Sequence, residues 1–249
     1  MADPMRIRAQ AAGDKANIPP RRMDFVFAED TKRYWYKDSP FLTTFWTTLS
    51  TLFPEGETFF VDSVKNYRDQ VKDPVLKAQV SGFIGQEAMH SKEHQGFNDM
   101  ATRQGYPVDK LDRDVTKLLD LVQKTLPKPV QLAATVALEH YTAIIAEMLL
   151  RDADVQQKFS VEARHLWLWH ALEENEHKTV AYDVYQQMVG SYGLRVATMA
   201  LTTVIFFAVT FAFHTRMLAA DGQLFKFRQT WQAMKYLWNG KKGVFSRLL

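Results

Sequence analysis

The chain of 249 residues contains no cysteine. This absence excludes disulfides, iron–sulfur clusters, thiolate zinc sites and cysteine nucleophiles, so histidines and carboxylates must hold any metal. An excess of one charge is also lacking, because the formal net charge of +3 is too small to indicate nucleic-acid binding. Neither strand-like alternation nor the apolar run of a secretory signal occurs. We therefore expect an all-α, cytoplasmic protein without a nucleic-acid partner.

Proline and glycine residues mark the boundaries of a series of predicted helices. Pro54 and Gly56 predict a break between an apolar helix over 40–53 and a second helix from about Glu57 to Lys72. Asp73 and Pro74 begin the next helix, which Gly105 ends. Further helices are predicted over 108–126, over 130–151, between Ser160 and Gly190, and over 195–218. This order predicts a bundle of four long helices with additions.

The composition divides the chain into three parts. Residues 1–22 are polar, include a Pro-Pro pair, and are predicted to form a flexible arm. Residues 23–192 are predicted to form a helical bundle with a metal site. Residues 193–249 hold an apolar helix and a basic tail, which are treated separately below.

Two of the predicted helices carry the same polar pattern on one face. One presents Glu87, His90 and His94, and the other presents His170, Glu174 and His177. Each contains a Glu-x-x-His element, whose members project from adjacent turns and can reach one ion together. A single such element is often a surface accident, but two of them, each with an added histidine on the same stripe, indicate a metal site. Two such helices that face each other can hold two ions.

Two further glutamates complete the arrangement of di-iron and di-manganese carboxylate bundles. Glu57 follows the FPEG segment, and Glu139 is an isolated acid on an apolar helix, where an unpaired buried carboxylate would be costly. Glu55 and Glu147 are the alternatives to Glu57 and Glu139, respectively. We expect the order Glu57, Glu87/His90, Glu139 and Glu174/His177 to form a dinuclear centre, and we assign these six residues to catalysis as well as to metal binding.

The other polar residues near these stripes have several interpretations. His94 and His170 are either additional ligands or hydrogen-bond partners of the ligands. Glu173 lies beside its stripe and could tune the site, whereas Glu176 is expected to face water. The remaining histidines, at positions 140, 165 and 214, are predicted to be structural or exposed. Aromatic neighbours such as Trp169 are predicted to be ordinary core.

Four segments together resemble a known bacterial family. The segments FPEGE, FIGQEAMHSKEH, ALEHYTA and WLWHALEENEHKTVAYDVY are similar to those of the predicted metal-dependent hydrolases, a family placed with the ferritin-like bundles. The resemblance covers roughly Arg22 to Met217. It implies a ferritin-like four-helix bundle, and, residue by residue, it implies the ligands Glu57, Glu87, His90, His94, Glu139, His170, Glu174 and His177.

Three functions fit such a centre. Carboxylates and imidazoles without thiolate favour two iron ions, with manganese and zinc as alternatives. By analogy with arylamine oxygenases, whose di-iron sites are also rich in nitrogen, we expect an O2-activating oxygenase that acts on a small hydrophobic or aromatic molecule or a lipid and needs an electron donor. A two-metal hydrolase is the alternative. An iron-binding ferroxidase is a third, although storage requires neither the extra histidines nor the C-terminal region.

The C-terminal region indicates contact with a membrane. Residues 196–213 contain no charge over 18 residues, at the lower limit for a span. From Asp221 onward the only acid is Asp221 itself, and aromatic residues alternate with Lys226, Arg228, Lys235, Lys241, Lys242 and Arg247. A true span conflicts with the positive-inside rule. We expect either burial in the bundle or in a homodimer, or association with the inner face of the membrane, which we favour.

Overall fold

The computed structural model describes residues 18–240 and 243–244. Regular structure in this part of the chain is helical, apart from one isolated β-bridge between Tyr36 and Phe159. The predicted all-α class is therefore confirmed. The helices are α1 (Pro40–Lys65), α2 (Pro74–Arg103), α3 (Val108–Thr125), α4 (Lys128–Arg151), α5 (Ala153–Gln156), α6 (Val161–His177), α7 (Val180–Met188), α8 (Tyr192–Ala220) and α9 (Phe227–Trp238), with a 3-10 turn at Arg68–Gln70.

Helix α1 runs through Pro54 without a break, so the predicted interruption between residues 53 and 57 is wrong. A proline inside a helix leaves the carbonyl four residues earlier without its usual N–H partner. Here the side-chain amide of Asn98 on α2 donates to the Ser50 carbonyl at 3.0 Å and replaces the missing bond. The carbonyl of Pro54 itself accepts from the Ser91 hydroxyl at 2.9 Å. Helix α1 ends at Lys65 rather than at Lys72.

The helix predicted between Ser160 and Gly190 is divided in two. Ser160 caps α6 as expected, but α6 ends at His177, and the chain turns at Lys178 and Thr179 before α7 begins. Neither turn residue is glycine or proline, so the sequence pattern does not mark this break. Gly190 lies beyond the end of α7 with φ of +63°, as expected of a residue that follows a helix.

Four helices pack in a ring: α1 lies against α2 and α4, and α6 lies against the same two helices. We call α1, α2, α4 and α6 the site helices. One apolar cluster includes Leu49 on α1 and Phe97 on α2, and a second includes Phe60 and Phe83 on the same two helices. The polar residues of the predicted metal site lie between these clusters along the helices.

The end of the predicted N-terminal arm differs from expectation, because residues 18–22 contact the helices. Ile18 is buried against Gly82 of α2, where an added Cβ would clash with the Ile18 carbonyl oxygen. The Arg21 guanidinium donates to Glu173 at 2.9 Å and to Glu176 at 2.8 Å. Residues 1–17 of the predicted arm lie outside the described residues.

Helix α8 packs against α1 and α4 and leaves an apolar face open. Leu201, Val204, Phe207 and Phe211 follow one another at helical spacing and are 57–74% exposed. By length and composition, α4 and α8 could each cross a membrane, but the apolar window of α8 is only 17% buried. The predicted alternative that this helix is buried inside the fold is therefore wrong. Of the predicted basic tail, Lys241, Lys242 and Arg247 lie outside the described residues.

Candidate metal centre

The four site helices bring the predicted glutamates and three of the histidines together in the interior. Glu57 comes from α1, Glu139 from α4, and the Glu-x-x-His pairs from α2 and α6. Their donor atoms form two groups, and within each group all atoms lie within 4.8 Å of one another. The groups are Glu57, His90 and His170, and Glu87, Glu139, Glu174 and His177. We call these seven residues the metal cluster.

Two carboxylates lie between the groups. Oε1 of Glu174 is 3.0 Å from Nε2 of His170, 3.6 Å from Nδ1 of His90 and 3.6 Å from Nε2 of His177. The two oxygens of Glu87 divide in the same way, with Oε1 2.9 Å from Nε2 of His177 and Oε2 4.0 Å from Nδ1 of His90. Glu87 and Glu174 therefore contact imidazoles of both groups, whereas, among the described imidazoles, Glu57 contacts only His170 and Glu139 only His177.

The cluster contains buried polar atoms that no hydrogen bond satisfies. In the part of the chain that the structure describes, these are both carboxylate oxygens of Glu57, Glu87 and Glu139, Oε2 of Glu174, Nδ1 of His90 and Nε2 of His177. Such atoms are rare in folded proteins because each carries a desolvation cost. They all belong to one inward-facing set of oxygen and imidazole donors, which fits two divalent metal ions.

Burial and mutual repulsion perturb the ionisation of this set. Burial, followed by the charge of Glu87, raises the pKa of Glu57 well above its usual range. Burial and then Glu174 raise the pKa of Glu139 in the same way. Burial also lowers the pKa of His90 well below its usual range, so its imidazole is held neutral. Although burial acts in the opposite direction, Glu174 and Glu87 raise the pKa of the His177 imidazole well above its usual range. Metal binding would displace protons from such groups, because carboxylates and imidazoles bind metal in their deprotonated forms.

Each imidazole of the cluster is held from outside through its second nitrogen. Nε2 of His90 lies 3.1 Å from Oε2 of Glu173, and Nδ1 of His177 lies 2.8 Å from Oε1 of Gln86. Nδ1 of His170 lies 2.7 Å from Nε2 of His94. Such contacts fix the tautomer and orientation of metal-binding imidazoles.

The structure separates the two histidines whose roles the sequence left open. His170 belongs to the metal cluster, but His94 does not, because its Nδ1 lies 2.8 Å from the Ser50 hydroxyl and its Nε2 contacts His170. The Ser50 hydroxyl in turn donates to Oδ1 of Asn98 at 2.8 Å. The predicted ligand position of His94 is therefore corrected to that of a hydrogen-bond partner of a ligand.

The alternatives to the predicted glutamates lie elsewhere. Glu147 pairs with Arg151 at 2.9 Å on the surface, and Glu55 is outside both groups. Glu176 does not simply face water, since it accepts from Arg21 and from Nε2 of Gln86 at 2.8 Å. Sequence reasoning missed Gln86, Ser50 and Arg21. Gln86 is four residues before His90 on the same helix, and this spacing could have identified it.

Aromatic rings enclose the imidazoles. The ring centroid of Trp169 is 5.0 Å from that of His90, and the ring of Phe83 is 5.0 Å from that of His177. Phe53, which sequence reasoning did not single out, lies 4.8 Å from both His94 and His170. The centre is therefore polar only at its middle and apolar around it.

The fold and the site define a class: helical proteins with a buried carboxylate–imidazole metal centre. Residues 19–249 match the family model described as predicted metal-dependent hydrolase, so the chain belongs to that family. A search of curated proteins and a search of solved structures each return no match to this chain.

Proposed function

We propose that the protein is a dinuclear metalloenzyme of the ferritin-like type. The observation that supports this most strongly is the set of unpaired donor atoms in the metal cluster. Glu57, His90 and His170 would hold one ion, Glu139 and His177 the other, and Glu87 with Glu174 both. The ring of four site helices, each of which contributes ligands, is also the arrangement of ferritin-like carboxylate proteins.

Hydrolysis is the reaction that the family description favours. Two metal ions held there would supply Lewis acidity and would lower the pKa of bound water, which is the chemistry that hydrolysis of an ester or amide needs. Among the described residues, the protein's own contribution is to keep four carboxylates free of lysine and arginine partners, to orient three imidazoles from outside, and to place aromatic rings beside the site.

Activation of O2, the function that the sequence favours, is the second candidate. The observation in its favour is the donor set, which contains only carboxylates and imidazoles and suits iron. An electron donor would then be required.

Metal analysis of the protein from iron-supplemented and zinc-supplemented cells tests the centre. We expect about two ions per chain in the wild type, by the donor count of a dinuclear site. The double variant Glu87→Ala/Glu174→Ala should lose both ions, because it removes both carboxylates between the groups. The double variant Glu147→Ala/Glu162→Ala, at one half-buried and one exposed position outside the cluster, is the matched control. A wild type without bound metal would contradict the proposal.

The same metal-loaded proteins distinguish hydrolysis from O2 activation. Hydrolysis predicts turnover of apolar p-nitrophenyl esters by the zinc or manganese form, without an optical response to oxygen. O2 activation predicts an absorption change when the reduced iron form meets oxygen, and its dependence on an organic substrate distinguishes an oxygenase from a ferroxidase.

We also propose that α8 and α9 attach the protein to an anionic membrane surface. In addition to the open face of α8, helix α9 exposes Phe227, Trp231 and Trp238, and the segment 222–240 carries Lys226, Arg228 and Lys235 without an acid. Aromatic and basic side chains together are typical of helices that lie in the headgroup region.

Co-sedimentation with vesicles tests this attachment. We expect binding to equal parts of phosphatidylcholine and phosphatidylglycerol, weakened by salt, and less to phosphatidylcholine alone. Phe207→Gln/Phe211→Gln should reduce the bound fraction several-fold, whereas Leu121→Gln, at an exposed apolar position on α3, should not. A concentration-dependent dimer that is lost in the double variant, without vesicle binding, would instead show a homodimer interface.

A further inference from the structure

An apolar groove of about 200 Å³ runs beside the metal cluster, between α1, α3, α4 and α8. Side chains from all four helices form its walls, among them Leu52, Leu119, Leu138, Ile205 and Val209. Of the described residues that line it, Glu57 is the only carboxylate, and no lysine or arginine lines it. Glu57 also belongs to the metal cluster and both of its oxygens are unpaired, so one residue lines the groove and contributes to the cluster.

A second, small cavity of about 20 Å³ continues the groove toward the cluster. His170 and Glu174 line this cavity on the cluster side. Phe53, Thr142 and Ile145 line both the cavity and the groove, so these three side chains form the partition between them. Phe53 and Ile145 are only half-buried although they lie next to buried residues, because their other sides border the groove.

The opposite side of the cluster is closed. The outer nitrogens of His90 and His177 are engaged by Glu173 and Gln86, and Arg21 covers Glu173. Trp169 and Phe83 pack edge-on against the same two imidazoles. The groove is therefore the side from which a molecule can reach the cluster.

We propose that this groove binds a neutral apolar molecule, alkyl or aryl, whose single polar group lies past Phe53 at Glu57, His170 and Glu174. A charged ligand would lose its hydration without gaining a counter-charge in such a groove, whereas an apolar one gains by burial. Turnover of this molecule rests on the proposed function, but its binding in the groove does not require a metal.

Two glycines provide a matched test. Gly56 lines the groove, and an added Cβ there meets nothing within 4 Å, so leucine would extend into the groove without displacing the backbone. Gly96 on α2 is also helical with open space around an added Cβ, but it does not line the groove. Both substitutions replace a helical glycine and should favour the helix equally. Thr202→Phe fills the groove from the opposite wall on α8.

Binding of the neutral fluorophore N-phenyl-1-naphthylamine to the full chain, titrated with and without metal, measures the groove. We expect one saturable site in the wild type and in Gly96→Leu, and at least tenfold weaker binding in Gly56→Leu and Thr202→Phe, with unchanged helical content. Equal binding in all four proteins would overturn the proposal, and so would the absence of a saturable site in the wild type.

Metal content and ester turnover, measured on the same proteins, keep the two proposals apart. Selective loss of probe binding in a protein that holds no metal supports the groove and contradicts the dinuclear function. If both groove-filling variants keep wild-type metal content and turnover, the groove is not the substrate site. The proposal of a dinuclear metal centre is unaffected by that result.

Discussion

At the scale of single residues, orientation of the imidazoles decides whether the cluster can bind metal. His90 is held by a carboxylate, His177 by an amide and His170 by a second histidine. Outer partners of this kind raise the basicity of the ring and fix the nitrogen that faces the ion. Glu173 does this for His90 while Arg21 balances its charge at 2.9 Å.

Replacing Glu173 should weaken metal binding without unfolding the protein. In Glu173→Gln the shape is kept, but His90 loses an ionised partner, so we expect the metal affinity to fall roughly 10-fold to 100-fold. Competition with a chromophoric chelator measures this change. Glu162→Gln, at an exposed position on the same helix, is the control. Equal affinities in the two variants would contradict the role of Glu173.

At the scale of elements, α1 and α2 depend on each other near Pro54. Asn98 supplies the donor that Pro54 removes, and its side-chain oxygen accepts from the Ser50 hydroxyl that contacts His94. The Asn98 side chain thus supplies the hydrogen bond that α1 lacks at Pro54. It also holds the Ser50 hydroxyl, which contacts His94 behind the metal cluster.

Removing the Asn98 side chain should destabilise the fold. Asn98→Ala leaves the buried Ser50 carbonyl without a donor, which costs about 1–3 kcal/mol in the free energy of unfolding. Chemical denaturation of the metal-free protein measures it. Gln95→Ala truncates an exposed amide on the same helix and should change the free energy by less than about 0.5 kcal/mol. A similar loss in both variants would argue against the role of Asn98.

Helix α8 docks on α1 through a buried histidine, which makes the docking sensitive to pH. Nε2–H of His214 donates to the Phe41 carbonyl at 3.0 Å, and burial lowers the pKa of His214 to about 4. The unfolded chain, with a pKa of about 6.5, therefore binds more protons between these values. This docking loses stability as the pH falls from about 6.5 to 4, by up to about 3 kcal/mol.

The variant His214→Gln should reduce that pH dependence, because glutamine can donate to the same carbonyl but does not titrate. Thermal unfolding of metal-free protein across this pH range measures the difference from the wild type. His165→Gln, at an exposed position on α6, is the control. An unchanged slope in His214→Gln would show that other groups cause the acid sensitivity.

At the scale of the whole molecule, the metal cluster interrupts the apolar core between the two hydrophobic clusters. The two apolar clusters above and below it are separated by buried glutamates that repel one another. The folded protein alone presents this set of ligands, so metal binding adds to the free energy of unfolding.

Chelation should therefore lower the midpoint of thermal unfolding. With metal at 100 times its Kd, the loss is about 2.7 kcal/mol per site, or at least about 5 °C for a domain of this size. Differential scanning calorimetry with and without a chelator measures it. In Glu87→Ala/Glu174→Ala the chelator should have no effect. A shift of equal size in that variant would place the stabilising metal elsewhere.

The sequence by itself determined the helical class, and from it we predicted one common site for six of the seven residues of the metal cluster. The two residues of a Glu-x-x-His element lie about one helical turn apart, so their spacing in the sequence shows that they share a face. An isolated glutamate on an apolar helix can be recognised from the residues next to it in the sequence. These features are local, so the spacing of residues carries them. The functions of all these residues as metal ligands remain predictions, although their side chains lie together in the structure.

Only the tertiary structure decided the remaining features. It placed His170 in the cluster and His94 behind it, because the two differ in their neighbours on other helices rather than in spacing. It also kept α1 continuous through Pro54, since the replacement donor lies on α2. The groove depends on four helices far apart in the chain. Contacts of this kind arise from packing between helices, which no local pattern specifies.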